Sequence, residues 1–163
     1  MTRVAFIGLG NMGSGMAANQ AKAGREVVAF DLSADAMARA KEQGMKGASS
    51  AAEAVKDADI VITMLPAGSH VLSVYIEAIL PNARKDALLI DCSTIDVDSA
   101  RTVARDASMQ GFRAADAPVS GGTAAASGGT LTFMVGCREQ DFAEFDAALK
   151  PMAKAVIHAG ASG

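Results

Sequence analysis

"VAFIGLGNMGSGMAANQAKAG", residues 4–24, decides how the rest of the chain is read. An apolar run stops at Gly8, glycines recur at Gly10 and Gly13, and a helical pattern starts directly behind them. A G-x-G-x-x-G turn binds phosphate only in this setting, between a strand and a helix. Gly8 permits the sharp turn, Gly10 lets the backbone approach a pyrophosphate without an intervening Cβ, and Gly13 lets the helix lie close on the strand. The helix start adds free N–H groups and partial positive charge. Asp31 closes the next apolar run, "EVVAF" (26–30), which is the acidic residue expected about 20 residues downstream. Its carboxylate can accept hydrogen bonds from the ribose hydroxyls of an adenosine and repels a 2′-phosphate, so the pattern predicts NAD rather than NADP. The competing role for Asp31 is a helix cap beside Ser33.

The same alternation runs to the end of the chain. Further strands are predicted at 3–8, 59–64, 87–91, 112–116, 130–136 and 155–159. The early ones are continuous apolar runs, as in strands of a parallel sheet covered on both faces. Ser33 is a predicted N-cap, and Ser50 with Glu53 reads as a capping box. Gly24 is placed to stop the first helix. Apolar residues at Ala100, Val103 and Ala107, and at Phe142, Phe145 and Leu149, fall at helical spacing. The predicted fold is a single α/β domain over residues 1–163, a Rossmann-type doubly wound, mostly parallel sheet. "DAPVSGGTAAASGGT" (116–130) has little to bury, and by composition alone it is a flexible loop.

Composition bounds the function. The chain has 163 residues, half of them apolar, no tryptophan and a formal charge of -3. Basic residues are neither in excess nor clustered, so there is no electrostatic case for nucleic acid. No apolar stretch has the length of a membrane span. Cys92 and Cys137 are the only cysteines; without Cys/His spacing they predict no metal site and no disulfide scaffold. Two reduced thiols, and an N-terminus that goes straight into a strand, predict a cytoplasmic protein. At the carboxyl edge of the sheet, where ligands bind in open α/β folds, "MLPAGSH" (64–70) and "DCST" (91–94) leave their strands. Leu65 and Pro66 could wall an adenosine, and Thr94 carries a hydroxyl where nicotinamide would lie. Taken alone, each reads as an ordinary strand-to-helix loop residue, and His70 as a surface histidine at a helix start rather than a catalytic base.

Taken in order, four segments resemble the β-hydroxyacid dehydrogenases, most closely the 3-hydroxyisobutyrate dehydrogenases. They are "FIGLGNMGSGMAANQAKAG" (6–24), "ITMLPAGSHV" (62–71), "LLIDCSTID" (88–96) and "DAPVSGGTAAASGGTLTFMVG" (116–136). The resemblance implies that Gly8, Leu9, Gly10, Asn11, Met12 and Gly13 meet the cofactor with Asp31. It puts Leu65, Pro66 and His70 beside NAD and Thr94 near nicotinamide. It implies that Ser120, Gly121 and Gly122 hold the substrate carboxylate, a role suited to free N–H donors with little side-chain bulk.

That resemblance also implies an NAD-dependent oxidation of a small 3-hydroxy acid to a semialdehyde, as in valine degradation, by an enzyme that is a homo-oligomer when intact. Its general acid-base lysine follows a segment like "HAGASG" (158–163), on a long helix of an all-helical second domain that closes the cleft. That lysine is therefore expected beyond Gly163. Neither Lys150 nor Lys154 lies in such a motif, so no catalytic residue is expected within residues 1–163, and this fragment is expected to bind cofactor without turnover. Without that domain, apolar side chains near the C-terminus are expected to be exposed. The loop after Tyr75, "IEAILPNARK" (76–85), is shorter than the family's, so the adenine edge is expected to differ. Cys137 stands where a second glycine is usual, as a packing detail. Two alternatives stay open: an enzyme of the tartronate semialdehyde reductase type, and a non-catalytic NAD(H)-sensing module.

Overall fold

The computed structural model describes residues 1–163. Its elements are β1 (Arg3–Ile7), α1 (Gly13–Lys22), β2 (Glu26–Phe30), α2 (Ala34–Glu42), β3 (Lys46–Gly47), α3 (Ala51–Val55) and β4 (Ile60–Thr63). Helix α4 (Gly68–Val74) runs through a π turn at Tyr75–Ile79 into α5 (Leu80–Asn82). Then come β5 (Leu88–Asp91), α6 (Val97–Met109), β6 (Arg113–Asp116), β7 (Val119–Ser120), α7 (Gly122–Gly128), β8 (Leu131–Gly136), α8 (Phe142–Leu149) and β9 (Ala153–Gly160). All seven predicted strands form; the two-residue β3 and β7 are too short to leave a hydrophobic pattern.

One sheet holds them in the order β3-β2-β1-β4-β5-β6-β8-β7, with β9 on β8. From β3 to β6 every pairing is parallel; β8 runs antiparallel to β6 and β7, and β9 parallel to β8. The order reverses direction between β1 and β4, which places a crevice at the carboxyl ends of those strands.

Both faces are packed, which is why the strands carry no polar alternation. Val4, Phe6, Ile62 and Ile90 face one layer, with Met16 of α1 and Phe145 of α8. Ala5, Ile7, Val61 and Leu89 face the other, with Val71, Tyr75 and Val103. Local signals agree with this frame. The Ser33 side chain accepts from the Ala36 amide, and Ser50 from Glu53. Glu53 reaches back one residue further than a capping box specifies, to the amide and hydroxyl of Ser49. Gly24 follows α1 with φ +82°, the left-handed conformation of a helix stop.

Two expectations are corrected. The glycine-rich stretch 116–130 is not a loop: it folds as β7 and α7, because α1 anchors it. A Cβ on Gly15 would lie 2.9 Å from the Ser127 backbone, so that glycine admits α7 against α1. Asn19 Nδ2, buried, donates to the carbonyls of Ala126 (2.8 Å) and Ser127 (3.3 Å) at the end of α7. Residues 76–82 are also not a loop, since the π turn keeps them helical. Near the C-terminus Ile157 of β9 remains half exposed, as expected. No helix is long and apolar enough to cross a membrane.

Asn19→Ala should loosen α7 selectively. Loss of these donors leaves the buried Ala126 carbonyl unpaired, costing about 1–3 kcal/mol. Amide exchange should rise over 122–129 and stay unchanged in β1 and β4.

Candidate functional site

The glycine turn is forced by crowding among three strand ends. Gly8 has φ +98°, and a Cβ there would sit 2.1 Å from the carbonyl oxygen of Met64. No side chain fits that space. Gly13 is equally closed: its Cβ would lie 1.9 Å from the Gly8 carbonyl. Gly10 is different, because nothing lies within 4 Å of the position its Cβ would take. Packing of the chain on itself does not call for a glycine at position 10, which leaves the turn open to approach from outside.

The turn's donors are arranged accordingly. Gly8 donates its amide to Phe30 (3.0 Å) and Leu9 donates to the Asp31 carboxylate (2.7 Å). The amides of Gly10, Asn11 and Met12 have no protein acceptor, and α1 starts without a side-chain cap. By contrast α2, α3 and α6 are capped by Ser33, Ser50 and Asp96. A helix start with free amides favours a negative charge in front of it.

Asp31 is half-buried beside this turn. One oxygen takes the Leu9 amide and the other the Ser33 amide (2.8 Å), so the carboxylate is oriented from both sides. The cap of α2 is therefore Ser33, and Asp31 accepts the Ser33 amide just ahead of it. Two backbone donors still leave carboxylate lone pairs free.

A cleft of about 510 Å³ opens at this edge, lined among others by Gly8, Asp31, Leu32, Leu65, Pro66 and His70. The structure thus gathers five of the sequence-predicted residues, Gly8, Asp31, Leu65, Pro66 and His70, into one concavity. Gly10, Asn11 and Met12 stand exposed or half-exposed on the adjoining turn. Thr94 lies past the end of β5, exposed and outside the cleft lining. Ser120 ends β7, and Gly121 (φ +137°) and Gly122 (φ +73°) turn the chain into α7, which also starts without a side-chain cap. Gly163, beyond which the acid-base lysine is expected, lies outside the cleft lining. Its amide donates to the Asp116 carboxylate (2.9 Å), which ties the last residue to the end of β6.

Residues that sequence reasoning missed hold the loops in place. Ser93, buried, accepts the Leu65 amide (2.8 Å) and donates to Asp91 (2.6 Å); Thr63 also donates to Asp91 (2.7 Å). The loops after β4 and β5 are thereby tied together beneath the cleft. Burial of Asp91 raises its carboxyl to about 6, despite the hydrogen bonds from Ser93 and Thr63 that oppose the shift. Burial raises Asp116 in the same direction, against the opposing hydrogen bond from Gly163. The Tyr75 hydroxyl is buried close to Thr63 and Asp91 without a well-aligned partner. Leu32, Ser73 and Glu77 of the cleft were also missed, because single exposed residues carry no periodic signal.

Residues 3–160 match the model of the NAD binding domain of 6-phosphogluconate dehydrogenase. The chain belongs to this family. It is similar to a probable mitochondrial 3-hydroxyisobutyrate dehydrogenase of Dictyostelium discoideum, 49% identical over 98% of this chain and 50% of the relative. A Pseudomonas aeruginosa 3-hydroxyisobutyrate dehydrogenase is 47% identical over 100% of this chain and 55% of the relative. A Mycobacterium tuberculosis 3-hydroxyisobutyrate dehydrogenase solved with L-serine superposes with a TM-score of 0.96 at 46% identity, covering 99% of this chain and 55% of that one. The resemblance read from the four motifs thus holds along the chain, which spans about half the length of these relatives.

Gly8→Ala should abolish stable folding of the turn: a clash with the Met64 carbonyl would appear as a collapsed urea midpoint. The pH dependence follows from Asp91. Its folded-state value lies above its unfolded one, so its contribution is full below about pH 4 and lost as pH rises through about 6. Asp91→Asn keeps an acceptor for Thr63 and Ser93 and should flatten that fall, whose limiting slope is about 1.4 kcal/mol per pH unit. Urea titrations between pH 4 and 7 would show it; Asp116 leaves a residual slope.

Proposed function

We propose that residues 1–163 form the dinucleotide-binding half of an NAD-dependent dehydrogenase acting on a small 3-hydroxy acid, of the 3-hydroxyisobutyrate type. The observation that carries this is the uncapped glycine turn with open space at Gly10, beside a carboxylate fixed by the turn's own Leu9 amide. In this proposal the free amides of Gly10, Asn11 and Met12 donate to the pyrophosphate, while Gly8, Leu9 and Gly13 shape the turn. Asp31 accepts from the ribose hydroxyls and repels a 2′-phosphate, favouring NAD over NADP. Leu65, Pro66 and His70 flank the adenosine side, and Thr94 lies towards nicotinamide. Ser120, Gly121 and Gly122 receive the substrate carboxylate at the uncapped start of α7.

The hydride chemistry belongs to the cofactor when it is bound; the protein orients it and excludes water. We place the general acid-base lysine, and the helical surface that closes the cleft and makes a homo-oligomer, beyond Gly163, in the portion of the relatives that this chain does not span. Residues 1–163 alone would then bind cofactor without useful turnover. A cytoplasmic setting is proposed from the two buried free thiols, Cys92 and Cys137. The acid is defined as a class, a short carboxylate with a hydroxyl on the third carbon. That class includes the L-serine named for the Mycobacterium tuberculosis structure and for a Pseudomonas aeruginosa NAD-dependent L-serine dehydrogenase 42% identical to this chain.

NADH titration followed by fluorescence or calorimetry tests this. Saturable binding is expected, with NADPH binding at least about tenfold more weakly, the equivalent of about 1.4 kcal/mol. Asp31→Asn should weaken NADH and shrink that preference. Absence of NADH binding to the folded chain would overturn the proposal.

A further inference from the structure

The cleft extends past Asp31 and Pro66 along the helix that follows β4, and its far wall is unlike the rest. Ser73, Val74, Glu77 and Ala78 line it, one continuous helix face that runs through the π turn. A π turn inserted in an α-helix re-aims the side chains around it and is frequent at functional sites. Here it brings Glu77 to the cleft, where its carboxylate accepts from the Ser73 hydroxyl (2.9 Å). Neither Glu77 nor Asp31 is paired with a lysine or arginine. With no cation beside it, the Glu77 carboxylate on this far wall calls for a hydrogen-bond donor. Across the cleft Leu32 is 95% exposed, a large apolar side chain with no packing role. Apolar surface at Leu32, Val74 and Ala78, with the Glu77 acceptor in the same lining, suits a flat ring that carries an amine on its edge.

We propose that Glu77, held by Ser73 on the π turn, recognises the exocyclic amino group of adenine while Leu32 covers the ring face. This rests on the dinucleotide reading above and adds what that reading lacks, a base-specific contact. A carboxylate accepts from a 6-amino group and is repelled by the 6-carbonyl of hypoxanthine. The chain should therefore tell adenine from its deaminated analogue at this position.

The test compares NADH with the reduced nicotinamide hypoxanthine dinucleotide, titrated against the full chain. The unsubstituted protein should prefer NADH by about tenfold, the scale of a hydrogen bond to a charged group. Glu77→Gln, whose amide can donate to a carbonyl, should bring the two within about threefold, and Ser73→Ala should lie between. Leu32→Ala should weaken both about equally and leave the ratio unchanged. Glu77 and Ser73 are exposed, so thermal unfolding reports whether any variant has lost its fold. NADH binding with no discrimination in the unsubstituted protein, or a ratio unmoved by Glu77→Gln, would overturn the adenine contact and leave the dinucleotide reading standing. Failure of NADH to bind at all would overturn both.

Discussion

Three strand ends meet at one place, and only a glycine fits between them. The carbonyl of Met64 occupies the space where a side chain on Gly8 would begin, and the Phe30 carbonyl takes the Gly8 amide. β1, β2 and β4 can converge this closely only because position 8 has no Cβ and tolerates a positive φ. The convergence fixes where α1 starts, how near Asp31 stands to the turn, and where the crevice between the loops opens. The candidate site is a consequence of that packing rather than an addition to it.

Around this point the polar groups work as a frame. The Leu9 amide orients Asp31, and Asp31 orients Ser33. Ser93 and Asp91 bind the loop after β4 to the loop after β5. Asn19 binds α7 to α1, so the "VSGG" segment is carried by the same helix that begins at the glycine turn. Most links use a buried or half-buried group, and leaving such a group unpaired is costly, which makes the frame stiff and intolerant of substitution. On the proposed function, the cofactor and substrate positions would share this one rigid helix, which suits reactants that must meet at a set distance.

Much of this was legible in the residues. Continuous apolar runs marked the buried parallel strands, and serine caps marked the helix starts. Gly8 and Gly13 were read for the turn and the helix contact they make, and Gly10 was read for an approach that no part of the chain itself makes. The failures share a cause. Glycine and serine in 116–130 are weak helix formers and alanine buries little surface, so a helix there depends on Gly15 and Asn19, more than a hundred residues away in sequence. Residues 76–82 remain helical through a π turn that no short motif announces.

The sequence by itself determined the class of fold, the turn that opens it and the carboxylate one strand away, because each depends on local chemistry at fixed spacing. Tertiary structure alone decided which side chains share a cavity. Leu32 and Glu77 lie 45 positions apart and become neighbours of one cleft only when β1 separates β2 from β4 in the sheet. Proximity of that kind is set by strand order, and strand order is settled by burying both faces of the sheet at once.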